Sequence, residues 1–238
     1  MKKLIVFASL ITSSLAVADN QVFEELVRSL SPNSTIKSVI KDDLAGMYLV
    51  VTEQGETLYS NASGTVVMNG VMLSVKDGSY KNRTYQTIAK ELFEIPVEHT
   101  IQFSAVGDTP RGKVLIFFDT TCEYCRAMHD NIAQIRAAGV EVRYLAYPRA
   151  GAHSETARVL SELWCSDWSR EALDMYLRDG SLEASDKDCS GEIADQYYWG
   201  KALKLRGTPA IVFEDGEVVN HALKPSEIVI KAIQASSH

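Results

Sequence analysis

Residues 114–125 read VLIFFDTTCEYC, an apolar run followed by two cysteines that are two residues apart. The run from Val114 to Phe118 is typical of a strand that is buried on both faces. A thiol at the start of a helix has its thiolate stabilised by unpaired backbone N–H groups and by the helix dipole, so Cys122 is predicted to be reactive. The following helix, with Cys125 on its buried face, is predicted from apolar residues at three- and four-residue spacings: Cys125, Met128, Ile132 and Ile135. We therefore predict a redox-active dithiol in which Cys122 is the reactive sulfur and Cys125 is the resolving thiol behind it.

The composition predicts an ordinary globular protein of one or two domains. The chain has 238 residues, of which 46% are hydrophobic, and a net charge of −7, which argues against nucleic acid as a partner. Residues 1–18 are predicted to be a signal peptide cleaved after Ala18, because Lys2 and Lys3 precede a short apolar stretch that ends in small residues. This stretch is too short for a membrane anchor. Cleavage removes two lysines and no acid, which takes the charge from −7 to −9.

The four cysteines form a close pair, Cys122 and Cys125, and a distant pair, Cys165 and Cys189. An even number of cysteines in an exported chain suggests disulfides. If the distant pair is bonded, it closes a loop of about 25 residues, which is worth roughly 3.5 kcal/mol in the chain-entropy model. In an oxidising compartment, the close pair must then belong to an oxidant, an isomerase, a reductase or an inert disulfide.

The first part of the chain, residues 19–80, is predicted to be a small α+β domain. It begins with a short amphipathic stretch over residues 22–30, and Asn69-Gly70 is predicted to form a type I′ hairpin turn, with Asp77-Gly78 closing the domain. A linker helix is predicted within residues 81–98, because residues 84–93 are mostly polar and helix-favouring and Pro96 prevents continuation. The predicted strands cover residues 35–40, 47–52, 57–59, 65–68 and 71–75.

The second part, residues 99–238, is predicted to be a mixed α/β domain. A β-α-β unit places the predicted strands 114–118 and 140–147 parallel, after a first strand over 100–105. Residues 153–205 are helical in pattern and are predicted to be an inserted subdomain. A hairpin turning at Asp215-Gly216 and a last helix over 226–235 complete the domain. The order of these elements is that of a thioredoxin-like fold, in which Pro209 is expected to be cis.

Three segments resemble the bacterial periplasmic disulfide isomerases of the DsbC and DsbG type. They are FDTTCEYC at 118–125, VRYLAYPR at 142–149 and GTPA at 207–210. The resemblance also covers a signal peptide, a small amino-terminal domain, a linker helix and an extra cysteine pair. It implies a V-shaped homodimer made through cystatin-like amino-terminal dimerisation domains, with two thioredoxin-like domains facing a cleft for misfolded secreted proteins that contain disulfides. It also implies a membrane thiol reductase of the DsbD type as the electron donor.

The resemblance implies a role for each matching residue. Cys122 corresponds to the attacking cysteine and Cys125 to the resolving one, and Thr208 and Pro209 correspond to the substrate-contacting cis-proline loop. The structural bridge of the family corresponds to the pair Cys165 and Cys189. The residues between the active cysteines, Glu123 and Tyr124, are expected to tune the dithiol or contact substrate.

Glu123 departs from the family, in which the first residue between the cysteines is commonly small or proline. A carboxylate beside a thiolate disfavours the charged form, which would make the dithiol more reducing. The positive charge of Arg126 opposes this effect, and the sequence does not decide the net effect of the two charges on the Cys122 thiolate.

Several alternatives compete with isomerase function. Cys122, Cys125 and His129 have the spacing of three metal ligands, but a structural zinc site needs a fourth, and Arg126 stands where haem attachment requires histidine. We therefore expect neither a metal nor another cofactor. A dithiol oxidase on the same fold is a second alternative. A cleft-based chaperone or binding module, in which the cysteines are secondary, is a third.

Overall fold

The amino-terminal part is a four-stranded antiparallel sheet covered by one helix. The computed structural model describes residues 15–42 and 46–237, so most of the predicted signal peptide lies outside the described residues. Phe23 and Val27 of the helix pack against Val50 and Leu58 of the sheet. The elements are α1 (Leu15–Leu30), β1 (Ile36–Lys41), β2 (Tyr48–Thr52), β3 (Thr57–Ser60) and β4 (Val67–Asn69), with the strands side by side in chain order.

A separate two-stranded hairpin follows, and here the predicted turn is wrong. β5 (Leu73–Lys76) pairs with β6 (Ser79–Asn82), a strand that the sequence analysis did not predict, whereas β4 pairs only with β3 among the described strands. The turn is therefore Asp77-Gly78 and not Asn69-Gly70. Both central residues have positive φ, 51° at Asp77 and 75° at Gly78, as a type I′ turn requires.

A helix lies within the range of the predicted linker, and it packs closely against its neighbours. α2 (Arg83–Phe93) is capped by Asn82, whose side chain accepts a hydrogen bond from the backbone N–H of Tyr85 at 3.0 Å. One face of α2 is buried and belongs to the core that it shares with both neighbouring sheets. The buried residues of α2 are Thr84, Ile88, Ala89 and Leu92.

A five-stranded mixed sheet forms the centre of the second part. Its strands are β7 (Ile101–Phe103), β8 (Gly112–Phe118), β9 (Val140–Ala146), β10 (Ala210–Phe213) and β11 (Val218–Val219), in the spatial order β11-β10-β8-β9-β7. β8 and β9 are parallel, as predicted, and the other neighbours are antiparallel. The loop of the hairpin between β10 and β11 is residues 214–216, which include the predicted Asp215-Gly216.

Within the described residues, six α-helices of the second part pack around this sheet, in addition to α2. The cysteine pair precedes α3 (Glu123–His129), which is separated by two residues from α4 (Ile132–Ala137), although the sequence predicts one continuous helix. Three helices lie between β9 and β10, and a last helix follows β11. These are α5 (Glu155–Cys165), α6 (Ser169–Asp179), α7 (Ser190–Ala202) and α8 (Pro225–Ala235). Across the described ranges, no helix has both the length and the hydropathy that a membrane crossing needs.

β8 is buried on both faces, which explains its uninterrupted apolar sequence. Side chains alternate across a strand, so Val114, Ile116 and Phe118 face one core while Leu115 and Phe117 face another. The first core contains residues from each of the helices α3 to α8. The second contains α2 and α7 and also receives side chains of the amino-terminal sheet: Leu49, Val51 and Tyr59.

The two parts of the chain are thus packed against each other. Lys37 on β1 pairs with Asp195 on α7, and its ammonium group lies 4.9 Å from the centre of the Trp199 ring. Burial lowers the pKa of Lys37 to about 8. Gly55, at φ +77°, approaches Lys201 so closely that a Cβ atom at this position would lie 2.3 Å from the Lys201 Cβ. The close packing of the two parts therefore depends on a glycine here.

Candidate active site

The Cys122 side chain caps the first turn of α3. β8 ends at Phe118, and the chain turns through three residues before Cys122, which has extended backbone angles and accepts a hydrogen bond at Sγ from the N–H of Cys125 at 3.4 Å. A sulfur in this position meets the unpaired donors of the helix start. Only 2% of Cys122 is exposed, so its side chain is almost entirely enclosed.

Cys125 lies one turn further along α3 and is fully buried. Its position on the inner face of the helix is the one that the apolar spacing predicts. Burial removes water from the sulfur and raises the pKa of the Cys125 thiol well above its ordinary value. Cys125 is therefore protonated at neutral pH. Both cysteines are unbonded in this structure.

The loop before β10 reaches across to the sulfur of Cys122. The Thr208–Pro209 peptide bond is cis, in agreement with the expectation from the sequence. The Cys122 thiol donates a hydrogen bond to the carbonyl oxygen of Thr208 at 3.2 Å, although the two residues are 86 positions apart. The fold thus brings together four of the predicted site residues: Cys122, Cys125, Thr208 and Pro209.

The two residues between the cysteines lie at the surface. Glu123 is exposed, and 70% of Tyr124 is exposed, which is unusual for an aromatic side chain. Their expected roles in tuning and substrate contact remain predictions.

A buried carboxylate that the sequence analysis missed holds the loop before Cys122. Asp119 is 1% exposed and accepts hydrogen bonds from the N–H and hydroxyl of Thr121, at 2.7 and 2.6 Å. It also accepts from the backbone N–H of Arg149 at 2.8 Å and from its guanidinium Nε at 3.3 Å. These bonds join the end of β8 to the loop after β9, so Asp119 sets the direction in which the chain enters α3. The sequence signal for Asp119 is the position of an acidic residue directly after a buried strand.

Arg126 and His129 are occupied by structural contacts. Arg126 donates to the carbonyl oxygens of Thr120 at 3.0 Å and Leu177 at 2.9 Å. The two ring nitrogens of His129 contact the hydroxyl of Tyr144 at 3.2 Å and the carboxylate of Asp174 at 2.8 Å. His129 therefore does not share a site with the two cysteines. No group of three or more potential metal ligands occurs in the part of the chain that the structure describes.

Cys165 and Cys189 are joined by a disulfide, with their Cα atoms 5.6 Å apart. Cys165 is the last residue of α5, and Cys189 precedes α7, so the bridge ties two helices of the insert together. It is not part of the dithiol site.

A strand that leads into a capped dithiol helix, beside a cis-proline loop, defines a thiol–disulfide oxidoreductase of the thioredoxin-like class. Residues 101–235 match the family described as a thioredoxin-like domain. Residues 14–84 match the amino-terminal domain of disulfide bond isomerase proteins. The chain belongs to the DsbC family of thiol:disulfide interchange proteins, as the resemblance predicts, and is a disulfide isomerase on a thioredoxin-like fold.

The similarity to relatives extends over nearly the whole chain. It is 32% identical to the thiol:disulfide interchange protein DsbC of Dickeya dadantii, over 96% of this chain and 94% of that protein. It is 30% identical to DsbC of Escherichia coli strain K12, over 91% of this chain and 88% of that protein. In structure, the catalytic domain of Proteus mirabilis ScsC is similar with a TM-score of 0.50 and 14% identity, over 66% of this chain and 99% of that one. This structural similarity concerns the fold alone.

Proposed function

We propose that this protein rearranges non-native disulfides in exported proteins, with Cys122 as the attacking sulfur and Cys125 as the resolving sulfur. The observation that carries this proposal is the unequal placement of two unbonded thiols within one helical turn. Cys122 caps the helix start beside the Thr208–Pro209 loop, and Cys125 is enclosed behind it. Of the two sulfurs, the one at the helix start is therefore proposed to meet the client disulfide.

The reaction begins when the Cys122 thiolate attacks one sulfur of a client disulfide. An S–S bond forms between Cys122 and the client, and the other client sulfur leaves as a thiolate. A second client thiolate then attacks the client sulfur of this mixed disulfide. The new client disulfide forms and Cys122 leaves as a thiolate. No net oxidation or reduction takes place, so the enzyme is ready for another client.

Resolution by Cys125 is the competing route. Cys125 loses its proton and attacks Cys122 Sγ, which forms the Cys122–Cys125 disulfide and releases the client as a thiolate. The client has then gained two electrons and the enzyme has lost two. A membrane thiol reductase of the DsbD type is proposed to return these electrons.

The remaining features of the proposal follow from the family. The clients are misfolded secreted proteins that contain disulfides, and the compartment is the periplasm, reached by a signal peptide cleaved after about Ala18. In this division of the chain, residues 19–80 are the dimerisation domain, 81–98 the linker helix and 99–238 the catalytic domain, with the helical insert at about 153–205. The acidic composition, with a net charge of −7 for the whole chain, suits a soluble exported protein.

Homodimer formation is proposed to use an amino-terminal apolar patch. Six large apolar residues in and around β4, β5 and β6 are between 48% and 75% exposed: Val66, Met68, Val71, Leu73, Val75 and Tyr80. Val75 and Tyr80 lie directly opposite each other in the β5–β6 hairpin, and β4 is at the edge of its sheet. An edge strand and a concentration of exposed apolar side chains are features that a second copy of the chain would cover.

The dimer can be tested by sedimentation velocity. We expect the wild-type chain to sediment with twice the mass of one chain at micromolar concentration. Val75→Lys places a charge in the patch and should raise the dimer dissociation constant by at least about tenfold. The matched control is Val97→Lys, because Val97 is also exposed (43%) but lies between α2 and β7. A monomeric wild type, or equal effects of the two variants, would contradict the proposed interface.

The redox state of the dithiol in the cell tests the proposed function. Cells that express the chain are quenched in acid, denatured, and treated with a maleimide that adds a measurable mass to each free thiol. An isomerase must keep Cys122 reduced, so we expect two tags on the protein, both absent from the Cys122→Ala, Cys125→Ala variant. In cells that lack the membrane reductase, the tags should disappear. A dithiol that is oxidised in normal cells would instead identify a dithiol oxidase.

A further inference from the structure

The loop before Cys122 is held by a carboxylate whose negative charge works against a thiolate at Cys122. Asp119 is 1% exposed, and its backbone carbonyl oxygen accepts a hydrogen bond from the N–H of Cys122 at 3.1 Å. Its carboxylate accepts from the N–H and hydroxyl of Thr121, the residue next to Cys122, at 2.7 and 2.6 Å. A like charge close to a thiol disfavours the charged form of that thiol, and burial of the carboxylate weakens the screening by water.

The guanidinium group of Arg149 opposes this negative charge. Its Nε atom lies 3.3 Å from a carboxylate oxygen of Asp119, and its Nη2 atom donates to the hydroxyl of Thr121 at 3.0 Å. The guanidinium therefore contacts both the carboxylate and the residue that precedes Cys122. Arg149 reaches these partners from the loop after β9, and its side chain is 44% exposed, so the cation meets the buried anion while it stays partly hydrated.

The other charged side chains around the start of α3 do not neutralise Asp119. Arg126 uses its guanidinium group on two backbone carbonyl oxygens. Glu123 is exposed and has the same sign as Asp119. In the part of the chain that the structure describes, the carboxylate of Asp119 forms its ion pair with Arg149 alone. The charge balance next to Cys122 thus depends on one side chain.

We infer that Arg149 is a positioning residue for the attack by Cys122, because its guanidinium cancels the charge of the buried carboxylate that holds the loop. The inference rests on the proposed role of Cys122 as the attacking sulfur. Hydrogen bonds to a charged acceptor are stronger than hydrogen bonds to a neutral one, so the Asp119 carboxylate fixes the loop well. With Arg149 in place, this carboxylate fixes the loop without opposing the Cys122 thiolate.

The inference is tested with Arg149→Gln and Arg149→Lys in the full chain, through the redox equilibrium of the dithiol with glutathione at pH 7. The dithiol gives two electrons and two protons to one oxidised glutathione, which becomes two glutathione thiols. The Cys122–Cys125 disulfide carries no charge, so a change that disfavours the Cys122 thiolate shifts the equilibrium toward the disulfide. We expect Arg149→Gln to raise the equilibrium constant for oxidation about fivefold, whereas Arg149→Lys keeps the charge and should stay within about twofold of the wild type.

The direction of the shift separates a charge effect from a loosened loop. A loop that only loses order would hold the two cysteines together less well, so the constant for oxidation would fall. The matched control is Arg158→Gln, because Arg158 also pairs with a carboxylate, that of Glu155 at 2.6 Å, but Glu155 is 74% exposed and lies on α5. We expect no change in this control. An unchanged or lower constant in Arg149→Gln, equal constants in Arg149→Gln and Arg149→Lys, or an equal rise in Arg158→Gln overturns the inference.

The rate of alkylation distinguishes failure of this inference from failure of the proposed function. In a chain with Cys125→Ala, the uncharged reagent iodoacetamide can react only with Cys122, since Cys165 and Cys189 are joined in a disulfide. We expect Arg149→Gln to lower the rate constant at pH 7 about fivefold and Arg149→Lys to restore it. Equal rates with and without Arg149→Gln would refute the role of Arg149 alone. A Cys122 that does not react in the folded chain would refute the role of Cys122 and, with it, that of Arg149.

Discussion

Replacing Cys122 with serine is expected to reduce the rate of disulfide rearrangement in a scrambled client protein to the uncatalysed background, a loss of at least about 100-fold. A serine hydroxyl does not ionise in the relevant pH range, and only an ionised nucleophile can form the mixed disulfide. Cys125 cannot take over because it is fully buried. The measurement is the recovery of native activity by a scrambled ribonuclease-type substrate in a glutathione buffer.

The structure indicates that Cys122→Ser should fold normally, which makes the loss of activity interpretable. The serine hydroxyl can still donate to the carbonyl oxygen of Thr208, as the thiol does, and serine is a favourable residue at a helix start. We expect the free energy of unfolding to change by only about 1 kcal/mol. The control variant is Cys125→Ser, which should retain rearrangement while accumulating mixed disulfides with the client. If Cys122→Ser retained full rearrangement activity, the assignment of the attacking sulfur would be wrong.

Much of the catalytic domain could be predicted because its signals are local. Val114–Phe118 is apolar at every position, because a central strand of a mixed sheet is covered on both faces. In the structure the strand begins two residues earlier, at Gly112. The burial of Cys125 follows from its helical spacing with Met128. Local patterns were insufficient where two dipeptides could each form the turn of the same hairpin. Asn69-Gly70 and Asp77-Gly78 are equally good type I′ turns, and only the pairing of β5 with β6 decides between them.

Other features depend on contacts between distant residues. α2 has a polar composition, and its narrow apolar face is buried because the amino-terminal sheet and α7 both pack on it. The sequence of α2 alone does not contain that information. In the site, the Asp119 carboxylate and Arg149 are 30 positions apart, so no local pattern links them. The placement of the two cysteines at the start of a helix was therefore predictable, whereas the Asp119 contacts that hold the loop before them were not.

The burial of Cys125 makes the resolving step steeply dependent on pH. Since burial raises the pKa of the Cys125 thiol, only a small fraction of it is ionised at neutral pH, and that fraction increases tenfold with each pH unit. We expect the rate constant for resolution to rise by about 100-fold between pH 7 and pH 9, without reaching a plateau. At neutral pH, slow resolution would give a client thiol time to attack first. The enclosed position of Cys125 would then favour isomerisation over reduction.

Rapid-quench kinetics can isolate this step. Reduced enzyme is mixed with excess peptide disulfide, and samples are quenched in acid and analysed by mass spectrometry. The first phase depends on peptide concentration and forms the mixed disulfide. The second phase does not, and it forms the Cys122–Cys125 disulfide. Cys125→Ala lacks the second phase and corrects for attack by released peptide thiols. A second phase that levels off near pH 7 would mean that Cys125 ionises readily despite its burial, and the structural explanation for slow release of the client would then fail.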